Sequence, residues 1–114
     1  MPDPYLVLFV ADRAEDDHAT ALRGVARGVP EAGFFDDGLD GPGGEERTVG
    51  TYVRARELRD GLALIAAVAT ISRAFATRFE VQHDERILGF LESGRPDAAL
   101  AAELRPLGDI PEPF

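Results

Sequence analysis

The chain has 114 residues, of which 21 are acidic and 12 basic, giving a formal net charge of −9 that disfavours nucleic acid and anionic membrane surfaces as partners. Its 45% hydrophobic content suits one folded core rather than a disordered chain. The lack of cysteine excludes disulfides, thiolate catalysis and cysteine metal sites, and because every basic residue is arginine, lysine Schiff-base chemistry and a P-loop lysine are excluded as well.

Tyr5 to Ala11 is a short continuous apolar run, which predicts a central strand covered on both faces. A helix follows, opened by Glu15, Asp16 and Asp17 and stopped by Gly28 and Pro30, with Ala19, Leu22 and Val25 on its apolar stripe. Gly33 to Phe35 reads as a short second strand, and Asp36 to Glu46, with four glycines and a proline, as a loop. Thr48 to Arg54 has the β-branched and aromatic content of a third strand.

A longer helix is expected from Glu57 to Thr77, apolar nearly all round between Leu62 and Ala69. Burial on more than one side follows, by the domain itself or by a second copy in a homodimer formed through helix 57–77. Phe79 and Val81 alternate with Glu80 and Gln82 in a strand that forms a hairpin with Ile87 to Leu91 across Asp84-Glu85. Gly94 to Asp97 opens a small helix ending at Leu104, and an irregular tail runs from 105 to 114.

The order strand, helix, strand, strand, helix, strand predicts an α+β fold, a ferredoxin-like split βαβ sandwich with an added C-terminal strand and short helix. The expectation is one domain over 1–114, with the core sheet and two helices in 5–91 and a short helix in 97–104. The longest charge-free stretch, Gly61 to Ser72, is too short to cross a bilayer, and Met1-Pro2-Asp3-Pro4 lacks a signal-peptide pattern. No membrane partner and a cytoplasmic location are therefore expected.

In that topology the loop after the first strand and the tip of the first hairpin emerge at one end of the sheet. Asp12, Glu15, Asp16 and Asp17 would share that pole with Asp36, Asp37, Asp40, Glu45 and Glu46, opposed locally by Arg13, Arg47 and Arg78, while Arg27, Arg54, Arg56 and Arg59 lie at the other end. Acids at a helix start have a structural explanation in the helix dipole. A glycine-rich tip gains no stability from mutually repelling carboxylates. The expected partner-binding residues are thus Asp12, Asp16, Asp17, Asp36, Asp37, Asp40, Glu45 and Glu46, facing a basic protein.

The loop fails as an EF-hand because its third position is Gly38 and its twelfth is Arg47, so no metal and no cofactor are expected. His18 and His83 read as surface residues at opposite ends. Ser72 and Ser93 lack a nucleophile-elbow context, so no catalytic residue is assigned. The leading function expected from sequence is an acidic protein-interaction module, an immunity or antitoxin-type inhibitor of a basic bacterial partner such as a nuclease toxin. The alternative is a dimeric ferredoxin-like protein or enzyme that binds a small molecule in an apolar pocket formed by the long helix, whose Leu62 to Ala69 segment is its main support, or by the sheet face near Tyr52.

Overall fold

A computed structural model of the chain describes residues 3–37 and 47–107. Asp40, Glu45 and Glu46 of the expected acidic tip, and most of the C-terminal tail, lie outside the described residues. Six strands, β1 (Tyr5–Val10), β2 (Gly33–Asp37), β3 (Thr48–Arg54), β4 (Phe79–His83), β5 (Arg86–Glu92) and β6 (Arg95–Pro96), form one antiparallel sheet in the order β2-β3-β1-β4-β5-β6. Three α-helices accompany them: α1 (Asp16–Gly28), α2 (Leu62–Phe75) and α3 (Ala98–Leu104). The fold is α+β. Among the described residues no helix is long and apolar enough to cross a membrane.

Strand alternation sorts the sheet into two faces. Leu6, Leu8 and Val10 of β1 point one way, with Val49, Thr51 and Val53 of β3 and Phe79 and Val81 of β4, and all of them are buried. Leu22 of α1, Leu64, Ile65 and Val68 of α2, and Leu100 and Leu104 of α3 join these strand residues in a single hydrophobic cluster. All three helices therefore cover the same face. The other face carries Tyr5, Val7 and Phe9, all at least partly exposed. The expectation that β1 is covered on both faces is corrected: its apolar residues are continuous because the second face is aromatic, not because it is buried.

The helix expected over 57–77 is shorter. A 3-10 turn, Leu58–Gly61, leads into α2, and Ala76 ends it in a left-handed conformation at φ 49°. The outward positions of its apolar middle are Ala63, Ala66 and Ala67, too small to leave a broad hydrophobic surface, while Leu64, Ile65, Val68 and Ala69 pack inward.

Two hairpins also differ from expectation. Asp36 and Asp37 belong to β2, where they pair with Val49 and Thr48, and not to a loop. Ser93 and Gly94 form a two-residue turn with φ 49° and 86°, so Arg95 and Pro96 continue as β6. Asp97 then caps α3 by accepting a hydrogen bond from the Leu100 N–H at 2.9 Å.

Candidate functional site

Among the described residues two regions bear on the site. The first is the acidic pole. β1 and β2 both run antiparallel to β3, so their C-terminal ends lie together, beside the start of α1. The sequence-based residues Asp12, Asp16, Asp17, Asp36 and Asp37 do gather at this end.

They are not five free charges. Arg47 donates from Nε to Asp36 Oδ1 at 3.0 Å and from Nη2 to Asp36 Oδ2 at 2.8 Å, and from Nη1 to Asp16 Oδ1 at 2.8 Å. The Arg47 hydrogen bonds, aided by its charge and that of Arg23, hold the Asp36 carboxyl below the usual carboxylate range, and the same contacts raise the Arg47 guanidinium further above its own. Asp12 accepts from the Arg78 backbone N–H at 3.4 Å, a long contact. Asp17 and Asp37 form no ion pair among the described residues.

Beside these acids a cavity of ≈ 340 Å³ has Asp12, Arg13, Asp17, His18, Phe75 and Thr77 among its lining residues. His18 is buried, at 6% exposure, which corrects its reading as a surface residue. Its Nδ1 accepts from the Glu15 N–H at 3.0 Å, closing a capping box in which histidine takes the usual place of glutamate. The neutral ring must then carry its proton on Nε2, which donates to Thr77 Oγ1 at 2.9 Å, and Thr77 donates in turn to the Phe75 carbonyl at 3.1 Å. With its proton on Nε2, His18 offers the Thr77 hydroxyl no basic nitrogen, and the pair braces the start of α1 against the segment that follows α2. Among the described residues no three His, Asp or Glu side chains converge as metal ligands.

The expected polarity of the domain is also weaker than the sequence suggested. Arg54 and Arg56 line a cavity of ≈ 430 Å³ together with Asp3, Glu31 and Asp60, and Arg59 pairs with Glu57 at 3.7 Å. The arginine end thus carries its own carboxylates. His83, at the same end, donates from Nε2 to the Ala55 carbonyl at 2.7 Å.

The second region is the sheet face on which none of the described helices packs. Register places Phe35, Gly50, Phe9, Glu80 and Phe90 in one row across five strands, and Gly33, Tyr52, Val7, Gln82 and Ile87 in the next. The two glycines are essential to this surface. The Tyr52 ring lies over Gly33, and a Cβ on Gly50 would come within 2.6 Å of Phe35 Cζ. Aromatic rings lying on glycine backbone make a smooth apolar sheet surface.

Tyr5 meets Tyr52 edge-on with centroids 5.5 Å apart, and Tyr52 meets Phe35 at 6.3 Å. Arg54 lies 5.4 Å from the Tyr5 ring centre and donates from Nε to its hydroxyl at 3.2 Å, while Arg78 lies 3.9 Å over Phe90. A depression of ≈ 500 Å³ at one end of this face is bounded by Tyr5, Val7, Arg54, Gln82, Asp84 and Glu85.

No known protein family, no curated protein and no solved structure matches the chain. Its chemistry must be read from its own geometry. The sequence pattern placed Tyr52 on a sheet face but did not show that Phe9, Phe35 and Phe90 share that face. The available signal was parity: read two residues at a time, Tyr5-Val7-Phe9 is as apolar as Leu6-Leu8-Val10.

Proposed function

We propose that the chain is a small-molecule-binding protein of the ferredoxin-like type, with the aromatic sheet face as the wall of its binding site. The observation that carries this reading is the confinement of all three helices to one face while Tyr5, Val7, Phe9, Phe35, Tyr52 and Phe90 stand on the other. Tyr5 is exposed and the other five are partly so, and a contiguous apolar patch on a protein surface is a feature of binding sites. Support for the ferredoxin-like reading is the order β2-β3-β1-β4 within the sheet, with α1 crossing from β1 to β2 and α2 from β3 to β4. The ligand class that fits is a flat aromatic molecule carrying a hydroxyl group. Its ring stacks on Tyr52, Phe9 or Phe35, and its hydroxyl meets Gln82 or a tyrosine hydroxyl.

The chain's two tyrosines, Tyr5 and Tyr52, both lie on this face, and there is no tryptophan, so intrinsic fluorescence reports on this surface alone. Titration with naphthol is expected to quench tyrosine emission saturably, and Val7→Glu to abolish the effect. Unchanged emission up to the solubility limit of naphthol would sink the reading.

A second reading keeps the acidic pole as a docking surface for a basic protein, an inhibitor's role, and the specific observation favouring it is the absence of an ion pair at Asp17 and Asp37 among the described residues. Asp17→Asn with Asp37→Asn should then weaken capture of a basic partner from the host without lowering thermal stability.

A further inference from the structure

We propose that a second copy of this chain covers the aromatic sheet face, and that the ligand site is completed between the two copies. This inference rests on the reading of that face as the binding surface. The occupant follows from charge. In a chain of net charge −9, a surface meant for a basic protein would be expected to carry mostly carboxylates. This face instead carries both signs: Arg54, Asp84 and Glu85 lie at one end and Arg78 at the other, while on β4, between Phe9 and Phe90, Gln82 donates a hydrogen bond to Glu80, a mixture that suits a surface of the same composition.

The arrangement is complementary to itself about a two-fold axis. Arg54 sits beside Tyr5 on the β3 side of β1, and Asp84 sits beside Tyr5 on the β4 side, where its N–H donates to the Tyr5 carbonyl at 3.2 Å. A two-fold axis parallel to β1 lays β3 of one copy over β4 of the other. Arg54 of each copy then meets Asp84 and Glu85 of its mate, twice by symmetry. At the far end the same operation sets Arg78, which neighbours Ala11, over the row of Thr48 and Asp37.

Size permits this. Five strands ~4.8 Å apart and about six residues of ~3.3 Å each give a face of about 24 by 20 Å, or roughly 1,000 Å² over two copies, the lower bound for a specific interface. The alternative surface, the outer side of α2, offers Ala63, Thr70, Arg73 and Ala74 and a single exposed ring, Phe75 at its C-terminal end, against the several aromatic rings of the sheet face.

The two depressions at Tyr5 and Val7 face each other across this interface, so a ligand there is enclosed by both copies. Sedimentation equilibrium of the full chain should give twice the 12.3 kDa chain mass. Val7→Glu should weaken dimerisation at least about tenfold, with an unchanged far-ultraviolet circular dichroism spectrum showing that the variant folds. Arg54→Glu should do the same, and adding Asp84→Arg and Glu85→Arg to it should restore the dimer, because the charge pair is merely reversed.

A chain-mass species at submillimolar concentration overturns the proposal, as does a dimer that survives folded Val7→Glu. The two readings fail separately. A monomer that still binds naphthol leaves the ligand site standing without the dimer, whereas a dimer that ignores naphthol leaves the interface without the ligand.

Discussion

Phe35 lies across Gly50 so closely that a Cβ there would sit 2.6 Å from its ring, 2.5 Å from the Leu8 carbonyl oxygen and 2.7 Å from Phe9 Cβ. The ring could swing aside, but the Leu8 oxygen belongs to the central strand and cannot move without breaking the β1–β3 ladder. Gly50→Ala is therefore expected to cost about 1–3 kcal/mol, the range for overpacking a filled site. Gly24→Ala is the contrasting case. Nothing lies within 4 Å of a Cβ in that helical position, so it should stabilise by about 0.5–1 kcal/mol through helix propensity. Urea unfolding of both variants tests whether Gly50 serves the sheet face while Gly24 serves nothing.

The Arg47 clasp predicts a pH dependence. The folded state holds the Asp36 carboxyl below its ordinary value of 3.8, first through the Arg47 hydrogen bonds. The folded protein therefore binds this proton less readily than the unfolded chain does. The associated stability is fully present above the ordinary carboxylate value and is lost as pH falls through the depressed folded one. Asp36→Asn should be less stable than the parent at neutral pH, and the gap should shrink as pH drops below 3.8. Arg47→Lys should resemble it, because an ammonium cannot reproduce the two-point grip. Denaturant unfolding at neutral and acid pH measures the gap directly. A gap that is the same at both would mean that Asp36 acts by packing alone.

Local pattern made much of the fold legible. β3 has the bounds that its β-branched residues suggest, α1 starts at its acidic residues, with Glu15 as cap and Asp16 and Asp17 in its first turn, and stops at Gly28, and the Asp84-Glu85 turn lies between its two strands. What escaped was non-local. Asp36 reads as loop because aspartate disfavours strands, yet Arg47 lies eleven residues on, across the hairpin, and neutralises it there. His18 reads as surface because acids surround it in sequence, while its hydroxyl partner Thr77 is 59 residues away. The aromatic face escaped for a different reason. A fully apolar strand is ambiguous between burial on both faces and burial on one with a binding surface on the other, and only the placement of all three helices decides between them.

The turn between β4 and β5 offers a gain in stability. Asp84 and Glu85 have φ of 54° and 63°, the left-handed pair that a two-residue hairpin turn needs and that glycine supplies without steric cost. Glu85→Gly converts the turn to Asp-Gly and should stabilise by roughly 1 kcal/mol. The same change removes one of the two acids proposed to meet Arg54 of a second copy. Thermal unfolding at low protein concentration should therefore show the gain, while the dimer dissociation constant rises. A gain in both would separate Glu85 from the interface.

Thr51 allows the core to be separated from the binding face. It is fully buried on the helix-covered side of β3, and its hydroxyl oxygen has no hydrogen-bond partner among the described residues. A hydroxyl removed from water without compensation costs about 1–3 kcal/mol, and valine has nearly the same shape without that group. Thr51→Val should accordingly stabilise the fold by about 1 kcal/mol. Its neighbours across the ladder, Leu8 and Phe34, share its face, whereas Tyr52, Val7 and Phe35 point the other way. Naphthol quenching and dimer mass should be unchanged in this variant. That makes it the background in which Val7→Glu is best made, because any loss of dimer is then measured in a protein with stability to spare.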